Sequence, residues 1–208
     1  MLSTALVWIR NDLRIRDHAP LRYAADHYDQ VIPVYCFDPR HFGTTMFDLP
    51  KMSAIRARFL REGVQDLRDS FQELGADLVV RHGRPEDILP ELVGQTNAEE
   101  VLQFQEIGGE EEQVERAVED ALRETDATPG FFWGKTLYHV DDVPFDGPDD
   151  IPKVYTNFRK AVEKKSTVRP TLDAPDSLLP LPEDVDPGAV PTLDELGFED
   201  DGSVDERG

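Results

Sequence analysis

Short apolar runs alternate with longer amphipathic stretches through the first 165 residues of the chain. A nearly continuous apolar run of about four to eight residues is typical of a strand that is buried on both faces of a parallel sheet. Four such runs and a weaker fifth one predict strands at residues 5–9, 31–37, 77–81, 101–105 and 130–133.

The stretches between these runs predict helices that cover the sheet. Residues 55–74 carry apolar side chains three and four positions apart, with Ser53 placed to cap the helix and Gly75 placed to end it. Two further helices are predicted to begin at Pro85 and Glu110, each with acidic residues in its first turn. The alternation predicts an α/β fold, a doubly wound, five-stranded parallel sheet of the Rossmann-like type with flanking helices.

Residues 166–208 differ in composition from the rest of the chain. They contain six prolines, which prevent long helices, and twelve acidic residues against two arginines, a net charge of −10. We therefore divide the chain into an α/β domain, residues 1–165, and an extended, acidic, proline-rich interdomain connector, residues 166–208. Because connectors join two parts, we expect a fragment of a longer protein, although a natural acidic tail would have the same composition.

The whole chain is strongly acidic, with 43 acidic against 22 basic residues, a net charge of −21, and only six lysines. Such a surface around an ordinary apolar core is expected of a protein that stays soluble in concentrated salt. We interpret the charge as adaptation to salt; the alternative is an acidic face that binds a partner. In both cases the chain alone is not expected to bind nucleic acid, because its charge has the wrong sign.

The sequence also restricts the cellular location that we expect. No apolar run approaches about 18 residues, and the chain starts with a strand-like stretch rather than a signal peptide, which disfavours membrane and secreted proteins. The single cysteine, Cys36, cannot form an internal disulfide or a thiolate zinc site. We therefore expect a reducing, cytoplasmic location.

Ligands of doubly wound sheets bind beyond the carboxyl ends of the strands, where the strand order reverses. That rule selects the loops that begin at Arg10, Asp38, His82 and Glu106.

Several motifs of known chemistry are missing from the sequence. The first loop has no G-x-G-x-x-G, and the chain has no Walker lysine and no G-x-S-x-G elbow. The five histidines lack metal-ligand spacing, so no metal site is expected. A glycine pair at 108–109 precedes a helix, but the glutamates that follow would repel an anion. The residues alone thus predict a ligand-binding domain without a catalytic group.

Five motifs occur in order along the chain and carry a family resemblance. They are VWIRNDLR at 7–14 followed by Asp17, PVYCFDPR at 33–40, Pro50-Lys51 with Arg56, Phe59 and Leu60, FWGKTLYH at 132–139 followed by DDVPF at 141–145, and VYTNFRK at 154–160. These motifs resemble the amino-terminal domain of the photolyase and cryptochrome family, most closely its DASH branch. The resemblance spans residues 5–197, and it departs from the family pattern at Ile9, usually phenylalanine, and at His18, usually asparagine.

The resemblance implies a domain that binds a light-harvesting antenna chromophore. In that family, a following helical domain holds FAD, the DNA-binding face and the electron-transfer tryptophans. The expected partner of this chain is therefore its own C-terminal FAD- and DNA-binding domain, and DNA would be contacted only through that domain. The full-length relative would repair cyclobutane pyrimidine dimers or sense blue light. The chain alone, without FAD, is not expected to be an enzyme.

The resemblance also implies the residues of the antenna site. DASH and folate-type photolyases use a glutamate after the fourth strand to bind the pterin of methenyltetrahydrofolate, and the matching residue is Glu106, nine positions before Glu115. A carboxylate suits this task because it can accept two parallel N–H donors. Gln105 is the second candidate contact, in a position that is often acidic.

The alternative chromophores are 8-hydroxy-deazaflavin and a second flavin, and we expect a planar ligand where the strand order reverses. The alternative role for Glu106 is a solvated acid at a strand end.

Three further candidates, Cys36, Phe37 and Asp38, end the second predicted strand at the same edge of the sheet. The ring of Phe37 could stack on a planar ligand, although core packing is the favoured role for a buried aromatic residue.

Two other classes of protein remain open at this level. A stand-alone nucleotide-binding module of the universal-stress or electron-transfer-flavoprotein type shares the topology, but the glycine-rich or serine-rich phosphate loop that would favour it is missing from the sequence. The other alternative is an interaction domain whose acidic tail recruits a partner.

Overall fold

Five parallel strands lie in one sheet of this computed structural model, which describes residues 2–199. The strands are β1 (Thr4–Ile9), β2 (Gln30–Phe37), β3 (Val79–His82), β4 (Glu100–Phe104) and β5 (Thr128–Phe132). Their spatial order is β3-β2-β1-β4-β5, so the winding direction reverses between β1 and β4. Each predicted apolar run overlaps one strand, and the predicted doubly wound parallel sheet is confirmed.

Five helices accompany the sheet: α1 (Ala19–His27), α2 (Ala54–Glu73), α3 (Pro85–Thr96), α4 (Gly109–Leu122) and α5 (Tyr155–Lys165). One core cluster joins a face of the sheet to α3 and α4, and a second cluster joins the opposite face to α1 and α2. The apolar pattern did not predict α1 and α5, because each is short and buries few side chains. None of the helices in residues 2–199 is long and apolar enough to cross a membrane.

Helix α2 has the predicted ends but only part of the predicted apolar stripe. The Ser53 hydroxyl accepts the N–H of Arg56, and Gly75 ends the helix with a φ of +91°. The buried face of α2 carries Ala57, Val64, Leu67 and Phe71, but Ile55 and Phe59 are 62% and 75% exposed. Ala57 is fully buried, so the first turns of α2 are covered on that face as well. At about 100° per residue, Ile55 and Phe59 lie on the opposite side of the helix from Ala57.

The described part of the connector packs on the α/β domain. Val185, Leu193 and Leu196 are at most 5% exposed. The N–H of Val80 in β3 donates to the carbonyl of Pro187 at 2.8 Å, so the connector covers the open edge of the sheet. Residues 200–208 of the predicted connector lie outside the described residues.

Arginine side chains attach the acidic connector through its carbonyl groups. Arg68 donates to the carbonyl of Gly188 at 2.8 Å, Arg81 to that of Asp186 at 2.8 Å, and Arg61 to that of Pro191. These bonds use the main chain of the connector. Its negative charge at Asp186 therefore does not have to be desolvated for attachment.

Gly188 should be required for this attachment. Its φ is +71°, and a Cβ atom there would clash with the carbonyl oxygen of Val80. We expect Gly188→Ala to lower the free energy of unfolding by about 1–3 kcal/mol and to expose the connector to limited proteolysis. Gly147→Ala is the matched control, because Gly147 has an extended φ of 172° and open space around its Cα. Equal stability and proteolysis of the two variants would contradict this account of the edge.

Candidate functional site

The loops that follow β1 and β4 meet where the strand order reverses, as expected for a ligand site in this topology. Asn11, in the first loop, donates its side-chain N–H to Oε1 of Glu106, in the second loop, at 3.2 Å. Glu106 is only 8% exposed. The structure thus places the predicted glutamate at the predicted edge of the sheet.

A third loop also reaches Glu106. The ammonium group of Lys135, after β5, donates to the same oxygen, Oε1, at 2.8 Å. In residues 2–199, the other oxygen, Oε2, has no hydrogen-bond partner. One carboxylate oxygen is therefore fixed by two donors, while the other remains available to accept an N–H or O–H group from a ligand.

Glu115 of α4 holds the main chain of this site. Its Oε1 atom accepts Nη1 of Arg10 at 2.7 Å and the N–H of Glu106 at 2.7 Å. Burial raises the pKa of the Glu115 carboxyl, and the hydrogen bonds from Glu106 and Arg10 oppose that rise. The separation of nine residues between Glu106 and Glu115 has a direct structural reason, since one residue binds the main chain of the other.

The ring of Phe104, at the end of β4, positions the loops on both sides. The ring of His18 packs edge-on against the Phe104 ring, with 4.9 Å between the two ring centres. The ammonium of Lys135 lies 5.7 Å from the centre of the Phe104 ring. The main chain at Gly134 passes so close that a Cβ atom there would clash with the ring. A glycine at 134 therefore lets the loop after β5 bring Lys135 to Glu106.

A buried pair of side chains fixes the loop after β1. Nδ1 of His18 accepts the N–H of Leu21 at 3.1 Å and caps α1, so the ring proton belongs on Nε2. That nitrogen faces Oδ2 of Asp12 at 2.5 Å, while Oδ1 of Asp12 accepts the N–H of Arg10 at 3.2 Å. Burial acts to raise the pKa of Asp12, but the contact with His18 and its other polar neighbours hold it below the usual 3.8.

The crevice between the ends of β1, β2 and α4 is filled by side chains of the protein. The guanidinium of Arg10 lies 4.6 Å from the centre of the Trp8 ring. The remaining cavity, lined in part by Cys36 and Asp38, measures about 30 Å³, enough for about one water molecule. A chromophore of two or three rings cannot be enclosed there without movement of side chains. The structure thus opposes the expectation of a planar ligand inside this crevice.

The three residues of the second strand that were predicted to contact a ligand make contacts within the protein instead. Phe37 is 1% exposed and packs against the rings of Tyr35 and Phe42, so its ring lies in the core. Asp38 pairs with Nη2 of Arg40 at 2.6 Å and accepts the N–H of the same residue. Burial raises the pKa of the Cys36 thiol, and this cysteine is a small apolar residue of the core.

Gln105 is exposed beside Glu106. At the start of α4, the side chain of Glu111 lies against Gly108. A Cβ atom at Gly108 would clash with the carboxylate of Glu111, so that carboxylate already lies over the start of the helix. This start of a helix is therefore not open to an external anion.

Asn11, Lys135 and Arg10 were not predicted as parts of the site. They lie 95, 29 and 105 positions from the side chains that they bind. A signal for Lys135 exists in the sequence, because a lysine is rare in this acidic chain, but its partner could not be read from spacing.

The contact between Asp12 and His18 should stabilise the fold in a pH-dependent way. His18→Asn can still cap α1 but does not reach Asp12, and we expect it to lower the free energy of unfolding at pH 7 by about 1–3 kcal/mol. Because the pKa of Asp12 is depressed in the folded state, this contribution is present above pH 3.8 and is lost as the pH falls below it. Chemical unfolding at pH 7 and pH 3 measures the effect. His27→Asn, on the exposed end of α1, is the control, and an equal loss at both pH values would contradict the assignment.

Comparisons with known proteins show the family of this chain. The family model described as DNA photolyase matches residues 5–179. Cryptochrome DASH of Gloeobacter violaceus is 47% identical over 197 residues, which are 95% of this chain and 39% of that protein. Cryptochrome DASH of Xenopus laevis is 43% identical, over 92% of this chain and 37% of that protein. The chain spans about two-fifths of the length of these relatives.

Solved structures show the same relationship in three dimensions. The cryptochrome of Synechocystis matches 87% of this chain and 38% of its own, with 40% identity and a TM-score of 0.83. A class III photolyase from Agrobacterium tumefaciens matches 93% of this chain and 38% of its own, with 25% identity and a TM-score of 0.73. The chain thus belongs to the DNA photolyase family and corresponds to the amino-terminal α/β domain of DASH cryptochromes.

Proposed function

We propose that this chain is the antenna domain of a DASH-type cryptochrome or photolyase and that it binds a planar light-harvesting chromophore at Glu106. The observation that carries the proposal is the state of the Glu106 carboxylate. Asn11 and Lys135 fix one oxygen, and among residues 2–199 the other oxygen has no hydrogen-bond partner at the reversal point of the sheet. Such a group can orient a ring by its N–H edge.

Methenyltetrahydrofolate is the chromophore that we propose first, and 8-hydroxy-deazaflavin is the alternative. The pterin ring presents N–H donors that a carboxylate accepts. The filled crevice opposes a chromophore that is enclosed there, and we therefore place the chromophore on the surface at Glu106. Gln105, exposed beside Glu106, would be a second polar contact.

The whole protein would add a C-terminal domain that holds FAD and contacts DNA. The relatives are more than twice as long as this chain, which leaves room for such a domain. An exposed apolar surface supports its docking; it is formed by the loop after β2 and the first turns of α2, namely Met46, Phe47, Leu49, Ile55 and Phe59. With FAD bound in that C-terminal domain, the full protein would repair pyrimidine dimers with light or sense blue light. A cytoplasmic location fits the free, buried thiol of Cys36.

The nucleotide-binding module is the weaker alternative. Such a module would hold phosphate groups at a helix start, and at α4 the carboxylate of Glu111 covers that position. Titration of the chain with ATP, methenyltetrahydrofolate and 8-hydroxy-deazaflavin separates the two functions. Binding of ATP without a response to either chromophore would exclude the antenna function.

Glu106→Gln should weaken chromophore binding. We expect the dissociation constant for methenyltetrahydrofolate, followed by absorbance and fluorescence, to rise at least about tenfold, because a charged acceptor is lost. The melting temperature should change little, since Lys135 and Asn11 retain a polar partner. Glu112→Gln, on the exposed side of α4, is the matched control. An unchanged dissociation constant would remove Glu106 from the site.

We also propose that the chain is adapted to concentrated salt, on the basis of its net charge of −21. Raising KCl from 0.1 to 1 M shortens the screening length from about 10 Å to about 3 Å and weakens repulsion among carboxylates. We expect the melting temperature, measured by calorimetry, to rise by at least about 4 °C. A neutral osmolyte at equal osmotic strength is the control. A melting temperature that stays constant or falls with KCl would contradict this proposal.

A further inference from the structure

A second cleft lies beside the Glu106 site and is larger than the filled crevice. It measures about 380 Å³ and lies between the ends of β4 and β5 and residues 168–172 of the chain. Glu106 does not line it. Gly134 and Thr136 do, while Lys135 between them extends its side chain to Glu106. Its volume is within the range of sites for small organic ligands.

Both walls of this cleft are held in place by hydrogen bonds. On one wall, which Phe132 also lines, the indole N–H of Trp133 donates to the hydroxyl of Thr136 at 2.8 Å and fixes the indole ring. On the other wall, Leu172 and Asp17 exchange two hydrogen bonds, of 2.7 and 3.2 Å. The cleft is thus a preformed space with an aromatic wall, and a flat ring can pack in it without rearrangement.

Two arginines line the same cleft, and each keeps one amino group free. Arg14 uses Nε and Nη2 to bind the carbonyl of Asp17, at 3.2 and 3.0 Å. Arg169 uses Nε and Nη2 to bind the carboxylate of Asp142, at 2.6 and 2.9 Å. Within residues 2–199, Nη1 of each has no hydrogen-bond partner.

No acidic side chain of the described residues forms an ion pair with Arg14, although acidic residues outnumber basic ones by 43 to 22 in the chain. The carboxylate of Asp17, which also lines the cleft, is engaged by the N–H of Leu172. His139, the other titratable group of the lining, faces Asp141 at 3.4 Å. A fixed guanidinium with free donors is a good partner for a carboxylate or phosphate group.

We propose that this cleft binds a flat aromatic molecule that carries a carboxylate or phosphate group, at a site separate from the chromophore site at Glu106. The ring packs against Phe132 and Trp133, and the anionic group accepts Nη1 of Arg14.

The indole N–H resonances of the chain give a direct test. The chain has two tryptophans, and Trp133→Phe identifies the signal that belongs to the cleft. We use 2-naphthoate as the anionic probe and 2-naphthamide as its neutral analogue. Naphthoate should shift the Trp133 signal with a dissociation constant of roughly 1 mM or less, and naphthamide should bind about tenfold more weakly.

Variants separate the cleft from its surroundings. Arg14→Gln should remove the preference for naphthoate over naphthamide. Arg16→Gln is the matched control in the same loop, because Arg16 does not line the cleft and its side chain is 75% exposed. Glu106→Gln should leave naphthoate binding unchanged, whatever its effect on methenyltetrahydrofolate.

Any of the following results would overturn the proposal. The first is a Trp133 signal that does not respond to naphthoate. The second is equal binding of the two probes by the unmodified chain, or an equal loss in the Arg14 and Arg16 variants. The third is loss of naphthoate binding in Glu106→Gln, which would show that the cleft and the chromophore site are one.

Discussion

The buried carboxylate of Glu115 is the constraint on which the carboxyl edge of the sheet depends. A single oxygen of this group accepts the guanidinium of Arg10, after β1, and the N–H of Glu106, after β4. These two strands are the neighbours between which the winding of the sheet reverses. Because the side chain of Glu115 comes from α4, the same contact also fixes the helix against both strands. Removal of one partner would leave a buried charge without compensation, so the three parts are held as a unit.

The aromatic ring of Phe104 has a complementary role on the same edge. It packs against His18, from the loop after β1, and against the main chain at Gly134, from the loop after β5. The contact of the Phe104 ring with the main chain at Gly134 fixes the position of the loop after β5. The side chain of Lys135 reaches Glu106, while Gly134 and Thr136 line the aromatic cleft. One loop therefore serves two candidate sites.

The connector shows how an acidic segment can be attached to an acidic domain. Arginines of the domain donate to its carbonyl oxygens, and its buried apolar residues fill positions beside β3 and α2. Attachment through the main chain leaves carboxylates in water, where salt screens their repulsion. The prolines keep the segment extended, which allows it to follow the surface and to cover the open edge of the sheet.

The sequence by itself determined the local properties of the protein. Apolar runs determined the strands, their alternation with helices determined the doubly wound topology, and the motif resemblance selected Glu106. Tertiary structure decided which partners meet. Asn11, Arg10 and Lys135 reach the site from distant positions, and no periodicity records such contacts. Phe37 became a core residue because its strand is covered on both faces, and Ile55 remained exposed because it lies on the side of its helix opposite the buried Ala57. Periodicity reports the environment of a residue within its own element, whereas a binding site is made where the ends of several elements converge.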